Sequence, residues 1–153
     1  MTADQPTALE LLDEARERLR AASRAMLPLI GETVRAQFPD AAYLVLHRSV
    51  TDEALYLVDV RDSFGNILWD FPGLLEYAPF PAPVPEAVKA QWGAADARDP
   101  GVVLTLIRRV DDAIELPFLP RELMSDEEAS MDRTPVGVAL WTRGSGGEEG
   151  ARP

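Results

Sequence analysis

The chain has no cysteine, one histidine and one lysine among its 153 residues. Without cysteine it cannot form a disulfide, a thiolate nucleophile or a cysteine-based zinc or iron–sulfur site. The single histidine, His47, excludes mechanisms that need two imidazoles. No apolar run approaches the ~20 residues that span a bilayer, and the first fifteen residues carry acids where a signal peptide needs a basic start. We therefore expect a cytoplasmic protein with no cofactor and no membrane partner.

Negative charge dominates the composition. The sequence has 26 Asp and Glu residues against 15 Lys and Arg, for a net charge of −11. The excess is spread along the chain and is densest between residues 111 and 132. Proteins that bind nucleic acid bring clustered Lys and Arg to the phosphate backbone, so we expect no direct binding of nucleic acid. A dispersed acidic surface favours solubility and can steer a basic protein partner.

The length and the 46% hydrophobic content predict one globular domain over residues 7–143. Residues 1–6 are expected to be a flexible N-terminus. The last ten residues, GSGGEEGARP, contain no apolar anchor, and we expect residues 144–153 to be a disordered tail.

A long amphipathic helix is predicted from Thr7 onwards. Thr7 and Glu10 have the spacing of a capping box, in which two otherwise unpaired backbone N–H groups are satisfied. Pro28 should kink the helix or divide it in two, because proline lacks the N–H that the helix interior needs. Apolar residues follow at helical intervals, and we expect their shared face to lie in the core. They are Leu9, Leu12, Leu19, Ala22, Met26, Ile30, Val34 and Phe38.

Short apolar runs bounded by turn residues predict the strands. The first three, residues 42–49, 55–61 and 67–71, should form a meander whose second turn contains Gly65 and Asn66. The proline-rich segment of residues 71–85 should be an extended connector, followed by a short helix over residues 86–97. A second hairpin is expected from residues 102–110 and 113–118, then a short acidic helix within residues 121–133, and a last strand over residues 136–142.

These elements predict an α+β fold in the order α-βββ-α-ββ-(α)-β. In this interpretation a predominantly antiparallel sheet is covered by the long N-terminal amphipathic helix and by the shorter helix.

The leading functional hypothesis is a non-catalytic acidic module that binds a protein partner, as an adaptor, chaperone, immunity protein or inhibitor does. The partner is basic in this hypothesis, and a homodimer is left open. The proposed contacts are an apolar proline-rich strip and the acidic region. The candidate partner-binding residues are Tyr77, Phe80, Asp111, Asp112, Asp126, Glu127 and Glu128.

The alternative is a small metal-dependent hydrolase or small-molecule enzyme. Asp59, Asp62 and Asp70 lie on or beside the second and third strands, and a hairpin brings such carboxylates together as ligands for a hard metal ion. His47 could assist them. No catalytic motif supports this hypothesis, and we interpret His47 first as a strand residue facing a neighbour such as Tyr56. We therefore assign no catalytic residue.

Overall fold

The computed structural model describes residues 4–72, 76–130 and 134–141. Within these ranges the chain forms helices and a four-stranded sheet, and the α+β fold class is confirmed. The predicted tail of residues 144–153 and residues 1–3 of the predicted flexible N-terminus lie outside the described residues. In chain order the elements are α1 (Ala8–Arg24), α2 (Leu27–Gln37), β1 (Tyr43–Arg48), β2 (Leu55–Arg61), β3 (Ile67–Asp70), α3 (Glu86–Trp92), α4 (Pro100–Ile114), a 3-10 turn (Arg121–Leu123), α5 (Asp126–Ala129) and β4 (Val136–Ala139).

The sheet has the strand order β3-β2-β1-β4, and each neighbouring pair is antiparallel. The predicted meander of β1, β2 and β3 is confirmed. In the turn before β3 the backbone of Gly65 has a φ of 89°, a left-handed value that glycine adopts without strain. The Asp62 carboxylate accepts the N–H groups of Phe64 and Asn66 and so closes this turn.

The second predicted hairpin, residues 102–110 and 113–118, is wrong. Residues 100–114 form the helix α4, whose N-cap Asp99 accepts the Gly101 N–H and whose first residue is Pro100. Val103, Ile107 and Val110 recur at helical intervals and are all buried. The β-branched run suggested strands, but the cap and this period specify a helix. Only Phe118 keeps a strand-like contact, an isolated bridge to Val136.

The main core lies between one face of the sheet and the helices α2 and α4. Its buried residues come from all of these elements and from the proline-rich connector. They include Ile30, Val34, Leu44, Leu46, Leu57, Val60, Phe80, Leu104, Ile107 and Val138.

A β-bulge determines which side chains of β2 face the main core. Val45 pairs with Asp59 but the next residue, Leu46, pairs with Leu57, so β2 holds one extra residue there. Such an insertion reverses the alternation of side chains along the strand. As a result Leu57 and Val60 both face the main core, whereas Asp59 and Arg61 face the opposite side. The segment of residues 115–130, here called the strap, covers that opposite side.

The start of the N-terminal helix and its break near Pro28 are as predicted, but the burial of its apolar face is not. Thr7 and Glu10 form the capping box, and the break near Pro28 separates α1 from α2. The apolar face of α2 is buried as expected. The face of α1 was expected in the core, and that prediction is wrong. Although α1 contacts α4, Ser23 is its one buried residue.

Candidate functional site

A buried ion cluster joins the sheet to the strap. Arg61 of β2 donates two hydrogen bonds to Asp59 and two to Glu128 of α5, at distances of 2.6–3.1 Å. Its fifth N–H bonds the Leu123 carbonyl oxygen at 2.9 Å. A guanidinium has five donors, so Arg61 has none left for a ligand. The cluster therefore fixes α5 and the 3-10 turn onto the sheet.

The two carboxylates of this cluster respond differently to their surroundings. Burial raises the pKa of Asp59 above its usual value, although Arg61 opposes the rise. Hydrogen bonds from Arg61 hold the pKa of Glu128 below its usual value despite partial burial. The capping box at Ser125 adds to this, because the Ser125 N–H donates to Glu128 at 3.0 Å. Glu128 thus serves as a helix cap and as an ion-pair partner at once.

His47 lies beside the cluster on β1. As expected it faces Tyr56 across the strands, with ring centroids 5.9 Å apart in an edge-to-face arrangement. Its buried Nε2 has no hydrogen-bond partner among the described residues and lies 3.9 Å from the Oε2 of Glu128. Burial lowers the pKa of His47, because it disfavours the charged imidazolium.

The three carboxylates of the metal hypothesis do not converge. Asp59 and Asp70 are cross-strand partners, as the sequence suggested, but Asp59 is engaged by Arg61. Asp62 is used by its own turn. Among the described residues no group of three or more His, Cys, Asp and Glu side chains is placed to hold a metal ion. This arrangement does not favour the metal-dependent hydrolase.

The predicted partner-binding residues divide into internal and exposed groups. Phe80 is 1% exposed and lies in the core, so this residue of the proline-rich connector packs inward. Tyr77 is half-buried and its hydroxyl accepts the Leu57 N–H at 3.2 Å. Asp111 forms a two-bond ion pair with Arg48 at 2.9 Å, and Glu128 belongs to the cluster. The exposed members are Asp112, Asp126 and Glu127.

The most conspicuous exposed apolar surface is on α1. Leu9, Leu11, Leu12 and Leu19 are between 46% and 72% exposed. Leu12 and Leu19 are seven residues apart, which is two helical turns, so they share one face. Leu9 and Leu11 flank that face. We call these four side chains the leucine stripe.

An apolar groove of about 380 Å³ opens near the C-terminal end of α1. Met26, just after α1, lines it together with Leu29 of α2, Trp92 of α3 and Leu106 of α4. The indole N–H of Trp92 already donates to the Thr33 hydroxyl at 2.9 Å, so the ring offers the groove an apolar surface.

Sequence reasoning identified Leu9, Leu12 and Leu19 of α1, but not Leu11, and assigned them to the core. An apolar stripe on a charged helix has the same pattern whether it packs inside its own chain or against another protein. The only signal for an interface was the density of charge around it, since α1 carries four arginines and four acids over residues 10–24. That signal also fits a solvated helix.

Comparisons with protein-family models, with curated protein sequences and with solved structures find no match to this chain. Of the described helices, none combines the length and apolar character needed to cross a membrane.

Proposed function

We propose that the chain is a non-catalytic acidic module that binds a protein partner, and that the leucine stripe of α1 is its principal contact surface. The observation that carries this proposal is the exposure of four leucines on one helix. Single exposed leucines are ordinary, but a contiguous group of them rimmed by charges is typical of a protein–protein interface.

The shape of this surface favours a protein as the ligand. An amphipathic helix is commonly recognised through apolar residues three, four or seven positions apart. Here Leu9 and Leu12 are three apart, and Leu12 and Leu19 are seven apart. The N-terminal half of α1 is acidic and its C-terminal half is basic. A partner with complementary charges would therefore bind the helix in one orientation. The groove beside Met26 extends the surface beyond the helix.

The acidic body supplies the second part of the proposal. Asp112, Asp126 and Glu127 are exposed, and the chain carries a net charge of −11. Such a field accelerates the approach of a basic protein and adds little to the final affinity. A basic partner and a cytoplasmic location belong to this proposal as the setting in which it operates.

Site-specific photocrosslinking in cells that produce the protein tests the proposal. A benzophenone side chain replaces Leu12 in one variant, and Phe64, which is 84% exposed in the β2–β3 turn, in a control variant. We expect a discrete crosslinked protein band from position 12 and none from position 64. The band should disappear when Leu9 and Leu19 are both changed to Glu. An absence of any band at position 12, or equal bands at both positions, would contradict the proposal.

A further inference from the structure

We propose that the leucine stripe is occupied by a second copy of the chain, with the two α1 helices packed antiparallel about a twofold axis. This inference rests on the proposed function, because it names the protein that covers the surface described above. It is carried by the charge pattern of α1, the exposure of its leucines and the position of the groove.

The charge on α1 is divided between its two halves. Residues 8–15 contain three acids and no base, whereas residues 16–24 contain four arginines and one acid, Glu17. The halves therefore carry net charges of −3 and +3. Two such helices placed parallel bring like charges together. Placed antiparallel, each acidic half lies beside the basic half of the other copy, so that α1 is complementary to itself.

The same pattern explains why a second copy would approach through α1. The charges of α1 cancel, so the net charge of −11 comes from the rest of the chain. Two copies approaching by other surfaces bring acidic regions together, which is unfavourable. The intrahelical pairs Glu14–Arg18 and Glu17–Arg20 are exposed and weak, and they leave the charged rims of α1 available to a partner.

The groove lies where the antiparallel arrangement needs an apolar receptor. The 17-residue helix is about 26 Å long, and the groove opens at its C-terminal end beside Met26. An antiparallel partner brings its own N-terminal end to that position. Leu9, 72% exposed, is the first leucine of α1 and lies in its first turn. Each copy would then insert Leu9 into the groove of the other, while Leu12 and Leu19 pack across the axis.

This arrangement is closed, because each copy uses the same surface in the same way. It also leaves Asp112, Asp126 and Glu127 exposed on both copies for a basic partner, since they lie outside α1. The dimer would be a symmetric carrier of two acidic surfaces.

Sedimentation velocity of the purified protein is the first experiment. We expect twice the chain mass of 16.8 kDa at micromolar concentration. The variant Leu12→Glu/Leu19→Glu should be monomeric, with a dimer dissociation constant raised by more than ~100-fold. The control Val50→Glu/Phe64→Glu changes two apolar residues in turns that are more exposed than Leu12 and Leu19, and it should remain a dimer. Circular dichroism checks that both variants are folded.

A charge exchange tests the complementarity. In one variant Arg replaces the acids Glu10, Asp13 and Glu14, and in the other Glu replaces Arg16, Arg18 and Arg20. Each should be a monomer alone, and a mixture of the two should form a heterodimer. The orientation is tested with single cysteines, which the absence of native cysteine allows. A short bismaleimide should crosslink Ala8→Cys to Ala22→Cys in the mixture, and join neither variant efficiently to itself.

Several results would overturn the inference. They are a monomeric wild-type chain at 200 μM, a dimer that persists in Leu12→Glu/Leu19→Glu, and cysteine crosslinks between identical positions. A monomeric chain whose position 12 still crosslinks to a different protein in cells would end the inference and leave the proposed function supported. A dimer that persists in Leu12→Glu/Leu19→Glu, together with no crosslinked band from position 12, would contradict both the inference and the proposed function.

Discussion

Replacement of Arg61 by Met tests the ion cluster most severely. The Arg61 side chain is 6% exposed and holds five hydrogen bonds. Its removal leaves the carboxylates of Asp59 and Glu128 close together without a cation. Breaking a buried ion pair by removal of one partner costs about 3–5 kcal/mol. We expect the free energy of unfolding at pH 7 to fall by an amount in the upper half of this range, because two carboxylates lose their cation at once.

The loss should depend on pH in a defined direction. Without Arg61 the pKa values of Asp59 and Glu128 rise in the folded state above their unfolded values, so the folded variant binds protons more readily. Its stability then increases, relative to that of the native chain, as the pH falls through these raised pKa values. The difference between the two proteins should therefore be smaller at pH 5 than at pH 7.

Urea unfolding followed by circular dichroism at pH 7 and pH 5 measures both effects. The triple variant Asp59→Asn/Arg61→Met/Glu128→Gln also removes the two unpaired carboxylates and should recover a large part of the stability at pH 7. If Arg61→Met does not fold, this triple variant and Arg61→Lys carry the test. A loss below about 1 kcal/mol, or a loss equal at the two pH values, would refute the account of the cluster.

Three further predictions concern other parts of the fold. Burial lowers the pKa of His47 below about 6.5, so the unfolded chain takes up a proton on the imidazole more readily than the folded chain, and the free energy of unfolding falls as the pH drops below about 6.5. His47→Phe should therefore flatten the plot of unfolding free energy against pH between about pH 7 and 5. An unchanged slope would contradict this prediction. Gly137→Ala places a Cβ 2.8 Å from the Cα of Leu119 and should cost about 1–3 kcal/mol in chemical denaturation, whereas Gly101→Ala, whose nearest contact is a side-chain oxygen, should cost less than half of that. Asp111→Asn keeps the hydrogen bond from the Leu116 N–H but loses the ion pair with Arg48, and it should lower the unfolding free energy by about 1–2 kcal/mol. A thermal melting midpoint equal to that of the native chain would contradict this prediction.

The elements that could be predicted from sequence are those with local signals. The capping box at Thr7, the break at Pro28 and the turn at Gly65 each act within a few residues, and each is confirmed. The short acidic helix begins at its predicted cap, Ser125. The helix α4 also had local signals, Asp99 and Pro100, but the apolar run after them was interpreted as a strand because apolar runs are ambiguous in period.

The candidate sites could not be predicted because they depend on distant contacts. The bulge in β2 is set by pairing with β1, and it turns Asp59 and Arg61 away from the main core. Glu128 meets Arg61 across 67 residues. The sequence predicts that the acids between residues 111 and 132 form a surface, yet Asp111 and Glu128 are partly buried partners of arginines.

The same limit applies to α1. Its stripe was assigned to the core from periodicity, and periodicity does not say which surface covers a helix. In the fold, α2 and α4 already fill the space against the sheet, so α1 lies outside with its leucines exposed.

Hydrogen–deuterium exchange of α1 tests the central claim most directly. Apart from its contact with α4, α1 is exposed along its length, so its amides should exchange quickly unless a protein covers it. We expect the amides of residues 8–22 to become at least ~10-fold more protected between 1 and 200 μM protein, while those of β1 and β2 do not change. Exchange in α1 that is independent of concentration and of any added protein would contradict the claim that the leucine stripe is an interface.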